Sequence, residues 1–493
     1  MPRSCDSLFR KPILVVATFI SVGLLLSGHV ARADEFDVLR FGAKGDGRSL
    51  DTVAINRAIE AAAKQGGVVA FPAGTFLAGS IHLRSNVTLR LDGACKIVAA
   101  PPDEQADYDP PEPNPAAGRF QDDGHSHWHN SLIWGEDLHD VAIEGPGQIV
   151  GDQLSFKRKR QEPLRANKTI ALKNCRGVKL RDFTILHGGH FGILATGVQD
   201  IEITGVTIDT DRDGIDLDCC ENALIERCWV NAPNDDGICL KSSWALGKPV
   251  ATRDVIISGC LLSGYDCGTA ADGTRQRNIV YPKRDRPVGR IKLGTESAGG
   301  FSDVVVRDCT MQHTRGLAFE SVDGGTLERV RVERVSMQHV TDSPIFIFLG
   351  SRLRRPNPIG QSSHLSDVVL SDISASGIDP RFPAIVYGLD DNHVRNIVFK
   401  NVKLRFQGGG QKPIPSTQPT LPIDSRYPEP ELFPTAPAYG LFARNVDELA
   451  LSHVEVAYDH VDHRDSLVLE QTSGITMEDV RADHAEDAQA IQQ

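Results

Sequence analysis

Three aspartates stand in a short phrase that the sequence uses twice. Asp213–Leu217 reads Asp-Gly-Ile-Asp-Leu, Asp236–Leu240 reads Asp-Gly-Ile-Cys-Leu 23 residues later, and Asp235 precedes the second copy. If one coil of a parallel solenoid fills that distance, Asp213 and Asp236 stack on strands about 4.8 Å apart. Crowding raises the pKa of at least one carboxyl group, and a protonated carboxyl beside an ionised one can hydrolyse a glycosidic bond. The three aspartates are therefore the predicted catalytic residues.

These aspartates allow two other interpretations. Asp-Gly is a common turn pair, so the residues could be solvated turn aspartates. Hard oxygen ligands also suit Ca²⁺. Three aspartates at the spacing of one coil favour catalysis over both, and we predict no metal and no other cofactor.

A repeat of two short strands positions these residues. Apolar residues recur in the pattern φ-x-φ-x-x-φ-x-φ, for example at 178–185, 201–208 and 223–230, and the shortest spacings between copies are 22, 23 and 26 residues. One such unit cannot bury its apolar face alone, whereas stacked units share a continuous core. The predicted fold class is all-β, a right-handed parallel β-helix. Cys228, Cys260 and Cys309 occupy the same position in their repeats, which predicts a ladder of buried thiols more than a disulfide framework.

The chain divides into four predicted segments. Residues 1–33 read as a signal peptide, with basic residues before an apolar run and an Ala-x-Ala cleavage site; an uncleaved anchor is the alternative. Residues 34–100 are predicted to form an N-terminal cap and the first coils, with a helix at 52–64 after the N-cap Asp51. Residues 101–483 are the predicted catalytic β-helix, with a Pro/Gly-rich loop at 407–439, and 484–493 are a polar tail. Secretion or export to the periplasm is therefore expected.

The net charge of the chain limits the binding partners that it can have. The formal net charge is −12 over 493 residues, and removal of a basic leader makes the mature chain more negative. This argues against binding to nucleic acid or to anionic membranes. The sequence gives no prediction of oligomeric state.

Several motifs resemble glycoside hydrolase family 28, the polygalacturonase-like enzymes that degrade pectin. Asp211–Asp216 resembles Asn-Thr-Asp-Gly-Ile-Asp, Asn234–Ser242 resembles Gly-Asp-Asp-Cys-Ile-Ala-Ile-Lys-Ser, and Leu293–Gly300 resembles Ile-Gly-Ser-Glu-x-x-Gly-Gly. Phe41–Gly47 with Phe71–Phe76 looks like the cap that pectin-degrading β-helices share. The resemblance extends over roughly residues 36–480.

The resemblance implies a mechanism and a substrate. Asp235 takes the position of the general acid, and Asp213 and Asp236 take those of the pair that activates water. Inversion by single displacement, with widely separated carboxylates, is implied. We expect an exported enzyme that cleaves α-glycosidic bonds of pectic polysaccharide, exo-acting on galacturonosyl linkages because long insertions between late repeats would close one end of the cleft. The alternatives are a rhamnogalacturonan-type hydrolase, a Ca²⁺-dependent pectate-lyase-like enzyme and a non-catalytic carbohydrate-binding β-helix.

Two departures from the family affect sugar binding. Val288 stands where the family has the histidine of Gly-His-Gly, and Ala318–Glu320 stands where it has Arg-Ile-Lys. Arg290–Lys292 spells that triplet one coil earlier. Arg290 and Lys292 are therefore predicted to bind substrate, while Glu296 and Glu320 are either substrate contacts or salt-bridge partners.

Histidines and a tryptophan complete the predicted substrate-binding set. His190 lies 23 residues before Asp213, which predicts a position one coil below it, either hydrogen-bonding a carboxylate or a sugar or lying solvated at a corner. Alternation of His125, His127 and His129 around Trp128 predicts an extended segment with one histidine face. We predict that His127 and Trp128 form a wall for a sugar; a metal site and ordinary surface are the alternatives.

Overall fold

The computed structural model describes residues 34–493 except 104, 156–163, 279–285, 413–423 and 434–435. The predicted signal peptide at 1–33 lies outside the described residues. Within the described part, no helix is both long enough and apolar enough to cross a membrane.

The chain winds into a parallel β-helix in which each strand pairs with the equivalent strand one coil away, as predicted. The strands form three rows. The first row consists of Ile81–His82, Ile133–Glu136, Lys168–Lys173, Phe191–Thr196, Asp213–Asp218, Ile238–Ser242, Ile291–Ser297, Leu317–Ser321, Ile345–Leu349, Ala384–Tyr387, the start of Ala438–His460, Asp465–Ser473 and Ile491–Gln492.

The other two rows complete each coil. The second row consists of Glu35–Asp37, Gly67–Phe71, Val87–Leu91, His139–Glu144, Arg176–Arg181, Gln199–Thr204, Glu221–Glu226, Thr252–Ser258, Phe301–Arg307, Thr326–Gln338, His364–Ile378, Val394–Gly408, the rest of Ala438–His460 and Thr476–Ala482. The third row consists of Asp46–Leu50, Gly74–Ala78, Cys95–Ala99, Gln148–Val150, Thr184–Leu186, Thr207–Asp209, Trp229–Asn231, Leu261–Ser263 and Thr310–Gln312, and continues in the second half of Thr326–Gln338.

Stacking puts like residues above one another in the core. Val178, Ile201, Ala223 and Val255 are register partners on successive coils, and all four are buried. The predicted thiol ladder is present as well: the nine described cysteines are free thiols, and Cys228, Cys260 and Cys309 are buried at equivalent corners. Burial of these ladders supplies the main stabilisation of such a fold, since each coil shares its apolar surface with the next.

A helix covers the N-terminal end of the core, as predicted. It runs from Thr52 to Ala63 and buries Ile55, Ala58, Ile59 and Ala62. Asp51 is the residue before it, but its carboxylate accepts hydrogen bonds from the Lys44 and Gly45 amides instead of capping the helix. The cap is thereby tied to the turn before it.

Two loop segments reach the first row of strands. One contains a 3₁₀ helix at Asp123–Ser126, and the other, within the predicted Pro/Gly-rich loop, contains a 3₁₀ helix at Pro430–Leu432. A third 3₁₀ helix, Val38–Phe41, lies in the cap. At the other end, Ile491–Gln492 of the predicted polar tail pairs with Leu467–Val468, so the tail returns to the stack.

Candidate active site

The predicted stack of aspartates is present at the start of two first-row strands. Ile215 pairs with Ile238, which places Asp213 level with Asp236, and the Gly214 amide donates to the Asp236 carbonyl at 3.0 Å. Glycine is required after Asp213, because a Cβ on Gly214 would lie 2.3 Å from Val230 Cγ1. The two coils therefore approach closely enough to bring the carboxylates together.

The three aspartates are nearly enclosed and close to one another. Asp213, Asp235 and Asp236 are 3%, 6% and 4% exposed, and each contributes a carboxylate oxygen within 4.8 Å of the others. The separation of about 6.5–9.5 Å implied by the family resemblance refers to whole carboxyl groups, whereas 4.8 Å is the limit for single oxygen atoms of these groups, so the implied separation stays a prediction. Stacked coils are one strand spacing apart, so side chains in register meet at close range.

Two arginines contact this carboxylate group. Arg212 Nη2 lies 2.6 Å from Asp235 Oδ2 and 3.5 Å from Asp213 Oδ2. Arg290 Nε donates to Asp236 Oδ1 at 2.7 Å. Sequence reasoning did not assign Arg212 any role, although it lies inside the recognised motif at a position where the family has threonine.

Asp213 is driven towards its protonated form by its surroundings. Burial raises its pKa well above the ordinary value, and the charges of Asp235 and Asp216 add to the effect. Asp213 Oδ1 has no hydrogen-bond partner among the described residues. The site therefore holds a carboxyl group that favours its protonated form beside two further carboxyl groups, a combination that suits general acid–base chemistry.

His190 lies beside the stack, but one residue away from its predicted position. Phe191 is the register partner of Asp213, so His190 lies level with Arg212. Its ring stacks on Phe191 with centroids 4.3 Å apart, and it is buried, which excludes the solvated-corner alternative. Burial lowers its pKa well below the ordinary value, so the ring is neutral, and within the described structure neither ring nitrogen has a hydrogen-bond partner. The position predicted from the sequence spacing is wrong by one residue, because the coil between Phe191 and Asp213 is one residue shorter than the next coil.

A buried triad that was not predicted lies next to the aspartates. Asp216 Oδ2 lies 3.0 Å from His125 Nε2 and 2.9 Å from Lys241 Nζ. Burial, together with the Lys241 charge, lowers the pKa of His125 to about 4, so Lys241 is the cation of the triad. Asp216 and Lys241 lie within the recognised motifs, whereas no local pattern connects His125 to a residue 91 positions away.

The segment around Trp128 differs from its prediction. Residues 123–126 form a 3₁₀ helix, so His125 does not belong to an extended segment with His127 and His129. His127 Nδ1 lies 2.8 Å from the Glu112 carbonyl oxygen, and His129 Nε2 contacts Glu136. Trp128 is 1% exposed, donates to Thr196 Oγ1 at 3.0 Å and packs with Phe191. The structure thus places Trp128 behind the site and not on an open wall.

Arg290 and Lys292 do lie beside Asp236, but both are already paired. Both terminal nitrogens of Arg290 contact the Glu429 carboxylate at 3.2 Å, and Arg315 binds the same carboxylate. Lys292 Nζ lies 3.2 Å from the Tyr427 hydroxyl. The loop that carries Tyr427 and Glu429 therefore covers this side of the site.

Glu320 and Glu296 are salt-bridge partners in this structure. Glu320 lies 3.3 Å from Lys292 Nζ and accepts a hydrogen bond from Thr295, yet burial raises its pKa to about 7. Glu296 is also buried, but Arg352 and other cations outweigh burial and hold its pKa at about 2. Glu320 can thus be protonated near neutral pH, while Glu296 stays ionised.

Comparisons with known proteins agree with this fold. Residues 36–101 match the family described as rhamnogalacturonase A/epimerase, pectate lyase-like, and residues 168–353 match the right-handed β-helix region, in agreement with the predicted hand. A probable polygalacturonase of Vitis vinifera is 28% identical over 60% of this chain and 68% of its own length. An exopolygalacturonase of Zea mays is 23% identical over 70% of this chain and 76% of its own length. The solved family 28 exopolygalacturonase of Yersinia enterocolitica superposes with a TM-score of 0.67 at 16% identity, covering 90% of this chain and 79% of that one.

Proposed function

We propose that this chain, a relative of the polygalacturonases of glycoside hydrolase family 28, hydrolyses α-glycosidic bonds of pectic polysaccharide. The observation that carries the proposal is the stack of Asp213, Asp235 and Asp236, because three carboxylates enclosed within 4.8 Å of one another serve no purpose in packing. Relatives named polygalacturonase and exopolygalacturonase support the substrate class. Export from the cell, through the predicted signal peptide, is part of the proposal.

Asp235 is assigned as the general acid, and Asp213 with Asp236 as the pair that holds and activates the attacking water. Because burial favours the protonated form of Asp213, Asp236 is the member of the pair that accepts the proton of the water. The assignment of Asp235 rests on its position in the motif, and it requires Arg212 to release Asp235 when the leaving oxygen enters. A water between the stacked carboxylates could attack directly, which gives inversion. Inversion and retention yield different anomers of the new reducing end, so stereochemistry is the sharpest test of the mechanism.

The loop at Tyr427–Glu431 supports exo action. It is joined to the first row by the contacts of Arg290 and Arg315 with Glu429 and of Lys292 with Tyr427. A polymer crossing the aspartates would meet this loop on the side towards the C-terminal coils. A substrate that ends near the site fits better than one that passes through it.

A rhamnogalacturonan-type substrate is the second candidate. Arg290, Arg315 and Lys292 are each already neutralised by a carboxylate of the chain itself. A subsite whose cations are occupied in this way favours a sugar without a carboxylate. The N-terminal match to the rhamnogalacturonase A/epimerase family points in the same direction.

Product analysis on a panel of defined pectic oligosaccharides tests the proposal and separates its two substrates. Hydrolysis at galacturonosyl ends, with slow loss of viscosity on polymer, is the expected result; cleavage of mixed galacturonate–rhamnose oligosaccharides alone selects the second candidate. An unsaturated, ultraviolet-absorbing product that disappears in chelator would indicate the lyase. Asp235→Asn should lower the hydrolysis rate by about 10²–10⁴-fold, whereas a non-catalytic binding protein would bind the panel without turnover.

A further inference from the structure

A histidine, a cysteine and an aspartate converge at a corner of the coils, just before the strand that begins with Asp213. His187 and Asp211 each follow a third-row strand, and Cys267 comes from the insertion after Leu261–Ser263. Cys267 Sγ lies 3.3 Å from His187 Nδ1, and Asp211 Oδ2 lies 4.0 Å from the same nitrogen. All three ligand atoms are within 4.8 Å of one another.

These separations match those of a tetrahedral metal site. Zn²⁺ binds thiolate sulfur at about 2.3 Å and imidazole nitrogen or carboxylate oxygen at about 2.0–2.2 Å, so ligand atoms around it lie roughly 3.3–3.6 Å apart. The 3.3 Å between Cys267 Sγ and His187 Nδ1 already lies in this range. The 4.0 Å between His187 Nδ1 and Asp211 Oδ2 needs only a small side-chain rotation to reach it. Sulfur, nitrogen and oxygen together suit Zn²⁺ better than Ca²⁺ or Mg²⁺, which prefer oxygen alone.

The other ring nitrogen of His187 has the partner that a metal-binding histidine usually has. His187 Nε2 lies 3.5 Å from Asp152 Oδ1. A carboxylate in this position holds the ring with Nδ1 directed at the metal. His187 and Asp211 have 37% and 42% of their side chains exposed, so an ion can reach them and keep one position open to solvent.

The insertion that supplies Cys267 is held at the corner by its backbone. Asp209 accepts hydrogen bonds from the Gly268 amide at 2.9 Å and from the Ala271 amide at 2.8 Å. A Cβ on Gly268 would lie 3.6 Å from the His187 ring, so the loop packs directly on the histidine. The three ligands are thus brought together without any ion.

Cys267 differs from the other described cysteines in its exposure. It is the one described cysteine that is partly exposed, whereas the other eight are buried. A metal ion that binds its sulfur displaces the thiol proton to solvent.

We propose that His187, Asp211 and Cys267 bind a zinc ion, with Asp152 as a positioning residue and water in the fourth place. The ion joins the insertion after Ser263 to the coil corner immediately before Asp213. Zinc binding does not depend on the proposed hydrolase activity, so each can fail without the other.

Cobalt substitution provides a readout independent of activity. Metal-free full-length protein titrated with Co²⁺ should bind one ion per chain with a near-ultraviolet sulfur-to-cobalt charge-transfer band that Zn²⁺ abolishes. Cys267→Ser should remove the band and the zinc-induced rise in Tm, and Asp152→Asn should weaken binding by about 10–100-fold. Asp272→Asn, which changes a carboxylate on the same insertion, and Asp235→Asn should both keep the band.

Three outcomes would overturn the proposal. They are the absence of any sulfur-to-cobalt band in folded protein, a band that survives Cys267→Ser, and loss of the band in Asp235→Asn with retention in His187→Ala. Circular dichroism of each metal-free variant shows whether the β-helix is intact, so that loss of metal binding is not confused with unfolding.

Discussion

Replacing Glu429 tests how the loop is held over the site. Its side chain is 16% exposed and pairs with Arg290 and Arg315, whose side chains are 3% and 2% exposed. Removing one partner of a buried ion pair costs about 3–5 kcal/mol. After the substitution Arg290 is still paired with Asp236 and Arg315 with Asp342. Glu429→Gln should therefore lower the free energy of unfolding by about 3 kcal/mol, at the lower end of that range.

The expected change in Tm follows from the size of the chain. An unfolding entropy of roughly 2 cal/mol/K per residue gives about 1 kcal/mol/K for the roughly 460 residues after the leader. Glu429→Gln should therefore lower Tm by about 3 °C in differential scanning calorimetry. In Glu429→Ala, added acetate should recover part of the loss by binding between the two guanidinium groups.

Glu431 is the matched control. It belongs to the same loop and contacts Arg286 and Arg315, but 45% of its side chain is exposed. Solvent screens such pairs to below about 1 kcal/mol, so Glu431→Gln should lower Tm by about 1 °C or less. Equal effects of the two substitutions, or no effect of acetate on Glu429→Ala, would show that the buried Glu429 ion pairs do not hold the loop.

Two further predictions concern buried charges. The folded-state pKa of Glu320 is about 7 against an ordinary 4.5, so its contribution to stability is full below about pH 4.5 and is lost as pH rises through about 7. Relative to Glu320→Gln, the wild type should therefore lose about 3 kcal/mol between those limits in urea unfolding, whereas a pH-independent difference would contradict the assignment. Lys241→Met leaves the buried Asp216 with His125 alone and should cost about 3–5 kcal/mol at neutral pH; a loss below about 1 kcal/mol would show that the triad is not held as an ion pair.

Periodicity accounts for the parts of the fold that the sequence predicted well. The apolar pattern placed the coils, the thiol ladder and the capping helix, because each depends on residues within one or two coils. The repeated phrase placed Asp213 over Asp236 for the same reason. His190 was misplaced by one residue, because a corner can lose a residue without any change in the strands beside it.

Contacts between segments that lie far apart in the sequence could not be predicted. Glu429 lies 139 positions from Arg290, and His125 lies 91 positions from Asp216. No periodic signal connects such residues, since loops are placed by packing and charge and not by the repeat. Trp128 was expected on an open wall, although a large ring at the edge of a core gains more from burial than from exposure.

The stereochemistry of hydrolysis shows whether the three aspartates act by single displacement. Proton NMR of a pectic oligosaccharide during the first minutes of reaction shows which anomer of the new reducing end forms before mutarotation. We expect the β anomer to appear first from an α linkage, and Asp235→Asn to produce neither anomer at a comparable rate. First appearance of the α anomer would contradict the single-displacement role of Asp213, Asp235 and Asp236, and an unsaturated product would contradict hydrolysis itself.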